Sequence, residues 1–352
     1  MTLINIKSVR TGDVLENDLY REDALVVKKG NSLSRNVISK LKEWGVTSVD
    51  VRQYDSQTPP ADTKKHITPP HVLSLKQQFF QDLMSIGHEY RYGLALPDTK
   101  DYQWLEGLFV KFMSNSRVRQ LMEHLRRVDE DTYQHSFDVF ILGAMFARRR
   151  GLSDIENFAL GCLLHDIGKL EIPSTILNKE AKLTASEYEE VKRHPLHGYQ
   201  ILKRHHFDED IAVLARSHHE RMDGSGYPDG LTAEAFTEAL KLIHIADVYS
   251  ALTLNRPYRE AFGAASAVTM ILRECPAIED KYFYQFFSML TIFPVKSIVK
   301  LTNGVQARVI GVSDEAPTFP KLQNLDSTSK VAIPLNRAID IEHIIQLAPV
   351  SD

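Results

Sequence analysis

The chain has 352 residues, 43% of them hydrophobic and 25% charged, a composition that can bury a core and excludes a chain disordered throughout. Its net charge of −4 argues against binding to nucleic-acid polymers, which usually depends on a basic face. We expect a cytoplasmic protein, because the sequence lacks a signal peptide and an apolar run long enough to span a membrane, and two cysteines are too few for a disulfide framework.

The first 57 residues have the pattern of a small α+β domain. Alternating apolar and polar residues predict strands at 4–9, 24–30 and 47–52, and apolar residues at helical spacing predict a helix over 34–45. Four prolines lie between residues 58 and 70, where they exclude a regular helix or a central strand. We therefore predict a semi-rigid linker and a domain boundary over 58–70.

After the linker the pattern is helical almost throughout. Two amphipathic connecting helices are expected within 71–128, at 71–92 and 101–128. A mainly α domain is predicted for 129–293, with helices at 131–150, 154–165, 184–193, 197–206, 209–219, 237–254, 264–274 and 279–291. Residues 294–352 change character again and predict a C-terminal extension that contains β-strands, with an Asn-Gly turn between two strands in 297–312.

The helical region contains an ordered series of residues that can bind metal ions. Imidazoles and carboxylates are the ligands that divalent transition metals prefer, and the absence of cysteine from the series argues against a structural zinc site. Five histidines and two aspartates exceed the need of one metal ion with an open position, and they suit two ions as in phosphoester cleavage. The candidate ligands are His135, His165, Asp166, His194, His218, His219 and Asp247.

Four motifs carry a resemblance to a known family. They are HDIGKLEIP at 165–173, HPLHG at 194–198, HHERMDGSGYPDGL at 218–231 and IADVYSALTLNRPYRE at 245–260. Together with the upstream His135, they resemble the HD-GYP subgroup of the HD phosphohydrolase superfamily over roughly residues 130–300. The resemblance implies an HD-domain helical bundle, and residues 3–55 resemble more weakly a small domain that often precedes such modules in bacterial proteins.

The resemblance also implies roles for individual residues. The seven candidate ligands would bind the metal ions, with Asp166 bridging them as a catalytic residue. Lys169 would point at the scissile phosphate, and Arg256 and Arg259 would hold guanine or phosphate groups. A loop formed by Gly226, Tyr227 and Pro228 would rim the site.

Two positions depart from the family pattern. Asp131 lies one helical turn before His135, where members that hold a third metal ion tend to have glutamate, so a third ion stays open. Ser250 stands where the family often has aspartate, and we expect an altered environment around the ligands rather than loss of activity.

The function implied by the resemblance is metal-dependent hydrolysis of the bacterial second messenger cyclic di-GMP to pGpG, and on to GMP in many members. A hydroxide that bridges two divalent ions would attack the phosphodiester, with iron favoured and manganese as the alternative. Three other interpretations stay open: a phosphodiesterase for cyclic GMP-AMP, a catalytically weak sensor of cyclic dinucleotides, and a diiron oxygenase. The helices in 71–128 leave both a homodimer and a signalling protein partner open.

Overall fold

In the structure, a computed structural model, the chain divides into two compact units. The smaller unit contains residues 1–85 with 349–352, and the larger unit contains residues 86–348. The finer boundaries at 57, 70, 128 and 293 remain predictions. The structure describes residues 3–9, 13–17, 19–21, 24–27, 33, 38, 41–42, 46–52, 70–86, 99–179, 181–254, 262, 267–268, 270–271, 280–290, 293, 295–313, 316–325, 332–333 and 341–346.

Among its described residues, the smaller unit has short strands followed by a helix. Its strands are β1 (Leu3–Asn5), β2 (Val14–Leu15), β3 (Leu19–Arg21), β4 (Ala24–Val27) and β5 (Ser48–Arg52). They form an antiparallel sheet of order β1-β5-β2 and an antiparallel β3-β4 pair. Helix α1 (Pro70–Ile86) packs Phe80 into the same apolar core as Leu15 and Val49. Strand β5 confirms the strand predicted at 47–52. Most of the predicted helix 34–45 and most of the linker lie outside the described residues.

The larger unit is mainly helical. Its described helices are α2 (Thr99–Ser114), α3 (Ser116–Val128), α4 (Glu130–Arg150), α5 (Ile155–Leu164), α6 (Ser174–Leu177), α7 (Ala185–Val191), α8 (His194–Arg204), α9 (Glu209–Ser217), α10 (Glu238–Thr253) and α11 (Asp280–Leu290). A 3-10 turn, Ile167–Glu171, follows α5. The mainly α fold class predicted from the sequence is confirmed. In the part of the chain that the structure describes, no helix combines the length and the apolar character needed to cross a membrane.

Helix α4 lies at the centre of the larger unit. It is buried on nearly all sides from Thr132 to Ala147, as expected for a helix that other helices surround. Asp129 caps its N-terminus by accepting a hydrogen bond from the Thr132 N–H, and Gly151 ends it with a positive φ of 69°. This helix confirms the prediction at 131–150.

The prediction of a single helix over 101–128 is wrong, because the structure has two helices there. Asn115 separates them: its extended backbone ends α2, and its side-chain oxygen accepts a hydrogen bond from the Arg117 N–H at 3.0 Å. Asparagine is among the favoured N-cap residues, so it starts a second helix where the apolar periodicity alone continues. Helix α8 also begins earlier than predicted, at His194 instead of 197.

The C-terminal part of the larger unit is an antiparallel five-stranded sheet. Its strands are β6 (Ile298–Leu301), β7 (Gln306–Ser313), β8 (Ala316–Asn324), β9 (Ala332–Ile333) and β10 (Ile341–Gln346), in the order β10-β6-β7-β8-β9. Gly304, with a φ of 85°, lies in the turn between β6 and β7 and confirms the predicted Asn-Gly turn. The sequence prediction identified only the first two of these five strands.

Candidate metal centre

Several helices of the larger unit bring the predicted ligands together in one place. One ligand lies on α4, two lie where α5 passes into the 3-10 turn, one begins α8, two follow α9 and one lies on α10. In chain order these ligands are His135, His165, Asp166, His194, His218, His219 and Asp247. All of them are buried except His219, whose side chain is 31% exposed. The centre is therefore assembled from residues that are far apart in the sequence.

The donor atoms form two groups that share one carboxylate. Asp166, His194, His218 and His219 place one donor atom each within 4.8 Å of one another, and so do His135, His165 and Asp166. A carboxylate has two oxygens, so a shared aspartate is in a position to bridge two ions.

Asp247 lies beside the same donors. Its Oδ1 is 2.8 Å from the Nε2 atom of His135 and 3.9 Å from that of His165, and its Oδ2 is 4.0 Å from Nδ1 of His219. The arrangement is compatible with divalent metal ions, and the assignment of each ligand stays a proposal.

Three histidines make the same kind of hydrogen bond to the backbone. The Nδ1 atoms of His165, His194 and His218 lie 2.8, 2.6 and 3.0 Å from the carbonyl oxygens of the residues three positions earlier. A carbonyl oxygen only accepts hydrogen bonds, so each ring places a proton on Nδ1. Their Nε2 atoms are thereby left to face the centre with a lone pair when the rings are neutral.

The inward-facing atoms lack ordinary hydrogen-bond partners. The Nε2 atoms of His194 and His218 lie 3.2 Å apart, where two neutral rings would bring lone pairs together. Nε2 of His165 and Oδ1 of Asp166 are buried without a hydrogen-bond partner among the described residues. Orphaned buried acceptors are costly, and a cation within each donor group would satisfy its members. The residues present therefore fit a divalent metal ion.

The ionisation states agree with this donor set. Burial, followed by the neighbouring His219, lowers the pKa of His218 well below its usual range. Burial, followed by the neighbouring His194, lowers the pKa of His219 to about 3. Both rings are therefore neutral near pH 7 and can donate a lone pair to a metal ion.

Both carboxylates of the centre are ionised. Burial would raise the pKa of Asp166, but Lys169, His165 and His194 together outweigh it and hold the pKa well below the usual range. Burial likewise opposes ionisation of Asp247, and the hydrogen bond from His135 does most to lower its pKa. The centre thus combines neutral imidazoles with anionic carboxylates, as metal ligation requires.

The other predicted site residues have different outcomes. Lys169 Nζ lies 2.7 Å from Asp166 Oδ2, so the lysine is at the edge of the centre, and its role toward a phosphate remains a prediction. Asp131 lies on α4 but outside both donor groups, and the third ion remains a prediction. Arg256 and Arg259 lie outside the described residues.

The predicted GYP loop lies against the centre. The ring of Tyr227 is 5.0 Å from that of His219, and Pro228 follows it through a cis peptide bond. A Cβ atom at Gly226 would lie 2.3 Å from the backbone nitrogen of Arg221, so the loop folds back too closely for any other residue. The loop therefore lies beside the donor atoms, and its role toward a substrate remains a prediction.

Sequence reasoning missed the residue that holds this loop. Glu220 is fully buried, and its carboxylate accepts hydrogen bonds from the N–H groups of Asp229, Gly230 and Leu231 at 2.5, 3.1 and 2.8 Å. Glu220 belongs to the motif at 218–231, but the motif alone gave it no role.

A close backbone contact supports the other side of the centre. A Cβ atom at Gly168 would lie 1.9 Å from the carbonyl oxygen of His194 and 2.4 Å from the backbone nitrogen of Gly198. The 3-10 turn that follows Asp166 therefore packs directly on the start of α8. Glycine at 168 allows the shared aspartate and His194 to approach each other.

Comparison with known proteins agrees with this architecture. The HD domain family model matches residues 113–276. A cyclic di-GMP phosphodiesterase from Pseudomonas aeruginosa is 31% identical over 288 residues, which cover 79% of this chain and 70% of that protein. A 3'3'-cGAMP-specific phosphodiesterase from Vibrio cholerae is 34% identical over 218 residues, 60% of this chain and 49% of that protein.

Among solved structures, an HDG"Y"P protein from Bdellovibrio bacteriovorus is 17% identical, and the match covers 82% of this chain and 97% of that chain with a TM-score of 0.42. The family assignment depends instead on the sequence relatives and the HD domain match. This chain is an enzyme and belongs to the HD-GYP family of HD-domain phosphodiesterases.

Proposed function

We propose that this chain hydrolyses cyclic di-GMP to pGpG, and further to GMP, at a centre of two divalent metal ions. The observation that carries the proposal is the inward orientation of the imidazoles around Asp166. Nδ1 of His194 and Nδ1 of His218 are both committed to backbone carbonyls, and their Nε2 atoms meet at 3.2 Å. Such a set of acceptors has little use in a packed core and is well suited to metal ions.

Each residue of the centre then has a definite task. His135 and His165 would hold one ion, His194, His218 and His219 the other, and Asp166 both. Asp247, between the two groups, would complete the set. Iron is the favoured metal and manganese the alternative, because both accept mixed imidazole and carboxylate ligands.

The metal ions and Lys169 would have different roles in the reaction. Two divalent ions would lower the pKa of a bound water and neutralise the nonbridging oxygens of the phosphodiester. Lys169 would give up its 2.7 Å ion pair with Asp166 when the carboxylate binds the ions. Its ammonium group would then stabilise the negative charge that develops on the phosphate. The arginines at 256 and 259 would hold the guanine or phosphate groups of the substrate.

Cyclic GMP-AMP is a second candidate substrate. The similarity to the 3'3'-cGAMP-specific phosphodiesterase from Vibrio cholerae favours it, and the phosphodiester chemistry is the same for both dinucleotides. A catalytically weak sensor is less well supported, since every predicted ligand side chain lies at the centre.

The test uses the purified full chain, reconstituted without oxygen with Fe(II) or Mn(II), and both dinucleotides as substrates. Chromatography separates the products, and elemental analysis measures the bound metal. We expect linear product only with metal, and Asp166→Asn to lower the rate by at least ~100-fold because an amide cannot bridge two ions.

Asp154→Asn is the matched control. Asp154 caps α5 by accepting a hydrogen bond from the Asn157 N–H at 3.1 Å, and asparagine caps equally well, so this variant should keep full activity. Two bound metal ions without turnover of either dinucleotide would disprove the phosphodiesterase and favour a sensor.

A further inference from the structure

We propose that Tyr188 and Lys192 bind the half of the cyclic dinucleotide that is not being cleaved. The ring of Tyr188 would stack on a base, and the ammonium group of Lys192 would bind the second phosphate. This inference rests on the proposed function, because it supposes that the metal centre holds one phosphodiester of a cyclic dinucleotide. The two residues and Tyr227 are called the rim cluster below.

The rim cluster forms a continuous path from the metal centre to solvent. The ring centroid of Tyr227 is 5.0 Å from that of His219. Lys192 Nζ lies 5.4 Å from the centroid of Tyr227 and 5.9 Å from the centroid of Tyr188. The members therefore follow one another from His219 through Tyr227 and Lys192 to Tyr188, whose side chain faces solvent.

Tyr188 is available to a ligand. Its side chain is 52% exposed, whereas tyrosine rings usually bury much of their surface. Tyr188 and Lys192 are four residues apart, which places them on the same face of α7 and its C-cap. An aromatic face and a cation therefore stand side by side next to the centre.

Helix α7 holds this arrangement in place before any ligand binds. Thr184 and Glu187 form a capping box at its N-terminus, and Lys179 donates to both oxygens of Glu187. His194 follows the helix directly and points into the centre. The backbone that carries the Tyr188 ring and the Lys192 ammonium group is thereby fixed.

The charge of Lys192 has a partner that a phosphate can replace. Its ammonium group lies 3.1 Å from an oxygen of Glu189, and the lysine and glutamate side chains are 29% and 66% exposed. Because the carboxylate is well solvated, the pair contributes little, and exchange of the carboxylate for a phosphate costs little. A lysine ammonium is a point charge that suits a phosphate in any orientation.

The chemistry of the substrate calls for such a site. A cyclic dinucleotide has two phosphates and two bases, and the metal centre can act on one phosphodiester at a time. Stacking of a base on an aromatic side chain is typically worth ~1–3 kcal/mol and tolerates every base. The rim cluster would thus add affinity without choosing between guanine and adenine.

The experiment compares steady-state kinetics of the metal-loaded full chain with four variants. Tyr188→Ala removes the ring, Tyr188→Phe keeps it, and Lys192→Met removes the charge. Phe319→Ala removes another exposed ring, 60% exposed on β8, and serves as the control. Metal content and melting temperature are measured for each protein.

We expect Tyr188→Ala to raise the KM for cyclic di-GMP and for cyclic GMP-AMP about tenfold, with kcat changed less than about twofold. Tyr188→Phe should recover most of the lost affinity. Lys192→Met should raise KM and make it less sensitive to salt, because a screened charge contact is gone. Phe319→Ala should match the unmodified chain.

The outcomes separate this inference from the proposed function. An unmodified chain that turns over neither dinucleotide would overturn both. Normal turnover by the unmodified chain, with an unchanged KM in Tyr188→Ala and Lys192→Met, would overturn the rim cluster alone. A fall in metal content or in kcat that accounts for the whole loss would also overturn it, since that result indicates a structural role.

Discussion

Ser250 contacts a predicted metal ligand from outside the centre. Its hydroxyl is fully buried and lies 2.9 Å from Nδ1 of His135, whose Nε2 faces Asp247 at 2.8 Å. A partner on the far nitrogen of a ligating histidine fixes the ring and tunes its basicity. A serine here replaces the aspartate that is frequent in the family, so the ring is held by a neutral group.

Ser250→Ala should therefore weaken metal binding without abolishing catalysis. Loss of such a partner typically lowers metal affinity 10–100-fold, and we expect about tenfold because the hydroxyl is uncharged. Activity should fall at limiting metal and return when metal is in excess. Titration of the metal-free protein with Mn(II), followed by activity and by bound metal, measures both effects.

Ser136→Ala is the matched control for this change. Ser136 is also fully buried on α4, next to His135, but its hydroxyl has no hydrogen-bond partner in the part of the chain that the structure describes. Removing an unsatisfied buried hydroxyl is close to neutral. Equal metal affinity in the two variants would contradict the role given to Ser250.

At the scale of elements, the loop after α9 depends on one buried carboxylate. Glu220 accepts three backbone hydrogen bonds from 229–231. Hydrogen bonds to a charged group are worth ~1.5–3 kcal/mol each before the cost of burial. The side-chain carboxylate of Asp229 also accepts two hydrogen bonds of 2.7 Å from the Arg216 guanidinium, and this pair connects the same loop to α9.

Glu220→Gln should loosen this loop and leave the metal ions in place. A glutamine turns an NH2 group toward N–H donors, so at least one of the three hydrogen bonds is lost. We expect kcat/KM to fall about tenfold and amide exchange to rise over 224–231, with unchanged metal content. Hydrogen exchange and elemental analysis measure these effects.

Glu234→Gln is the control, because Glu234 is exposed on the neighbouring 3-10 turn. If Glu220→Gln loses its metal ions, or if its amide exchange matches that of Glu234→Gln, the loop-holding role is wrong.

Element boundaries were predictable where capping residues and periodicity agree. Asp129 and Gly151 bracket α4, and Thr184 precedes α7 as an N-cap. The break at Asn115 was missed because the apolar spacing continues through it. The strands after β7 were missed because pairing such as that of Leu322 with Ile333 joins residues eleven positions apart and leaves little local periodicity.

The site was predictable as a set of residues but not as a geometry. The ordered series of histidines and aspartates in the sequence includes the described side chains whose donor atoms group around Asp166, and their roles as ligands remain a prediction. Nothing in the sequence indicates that Nδ1 of His165 and Nδ1 of His194 bind backbone carbonyls, since that depends on how helices end. The sequence also gave no sign that Glu220 is buried, because a charged residue is usually exposed.

At the scale of the whole molecule, the candidate metal centre brings together distant parts of the larger unit. His135 on α4 and Asp247 on α10 are 112 residues apart in the sequence, yet their side chains are 2.8 Å apart. The ligands between them come from the ends of α5 and α9 and the start of α8. A metal ion bound only by the folded chain stabilises the whole assembly by mass action.

Removal of the metal should therefore lower the melting temperature of the chain. At a free metal concentration of 100 times Kd, each independent ion contributes ~2.7 kcal/mol, or roughly 5–10 °C for a unit of this size. Calorimetry with Mn(II) and with excess chelator measures the difference, and re-addition of Mn(II) should restore the higher value. Asp166→Asn should melt at the same temperature under both conditions, because it lacks the shared ligand. If the unmodified chain binds two ions and melts at one temperature with and without them, the ions do not join these helices as the geometry requires.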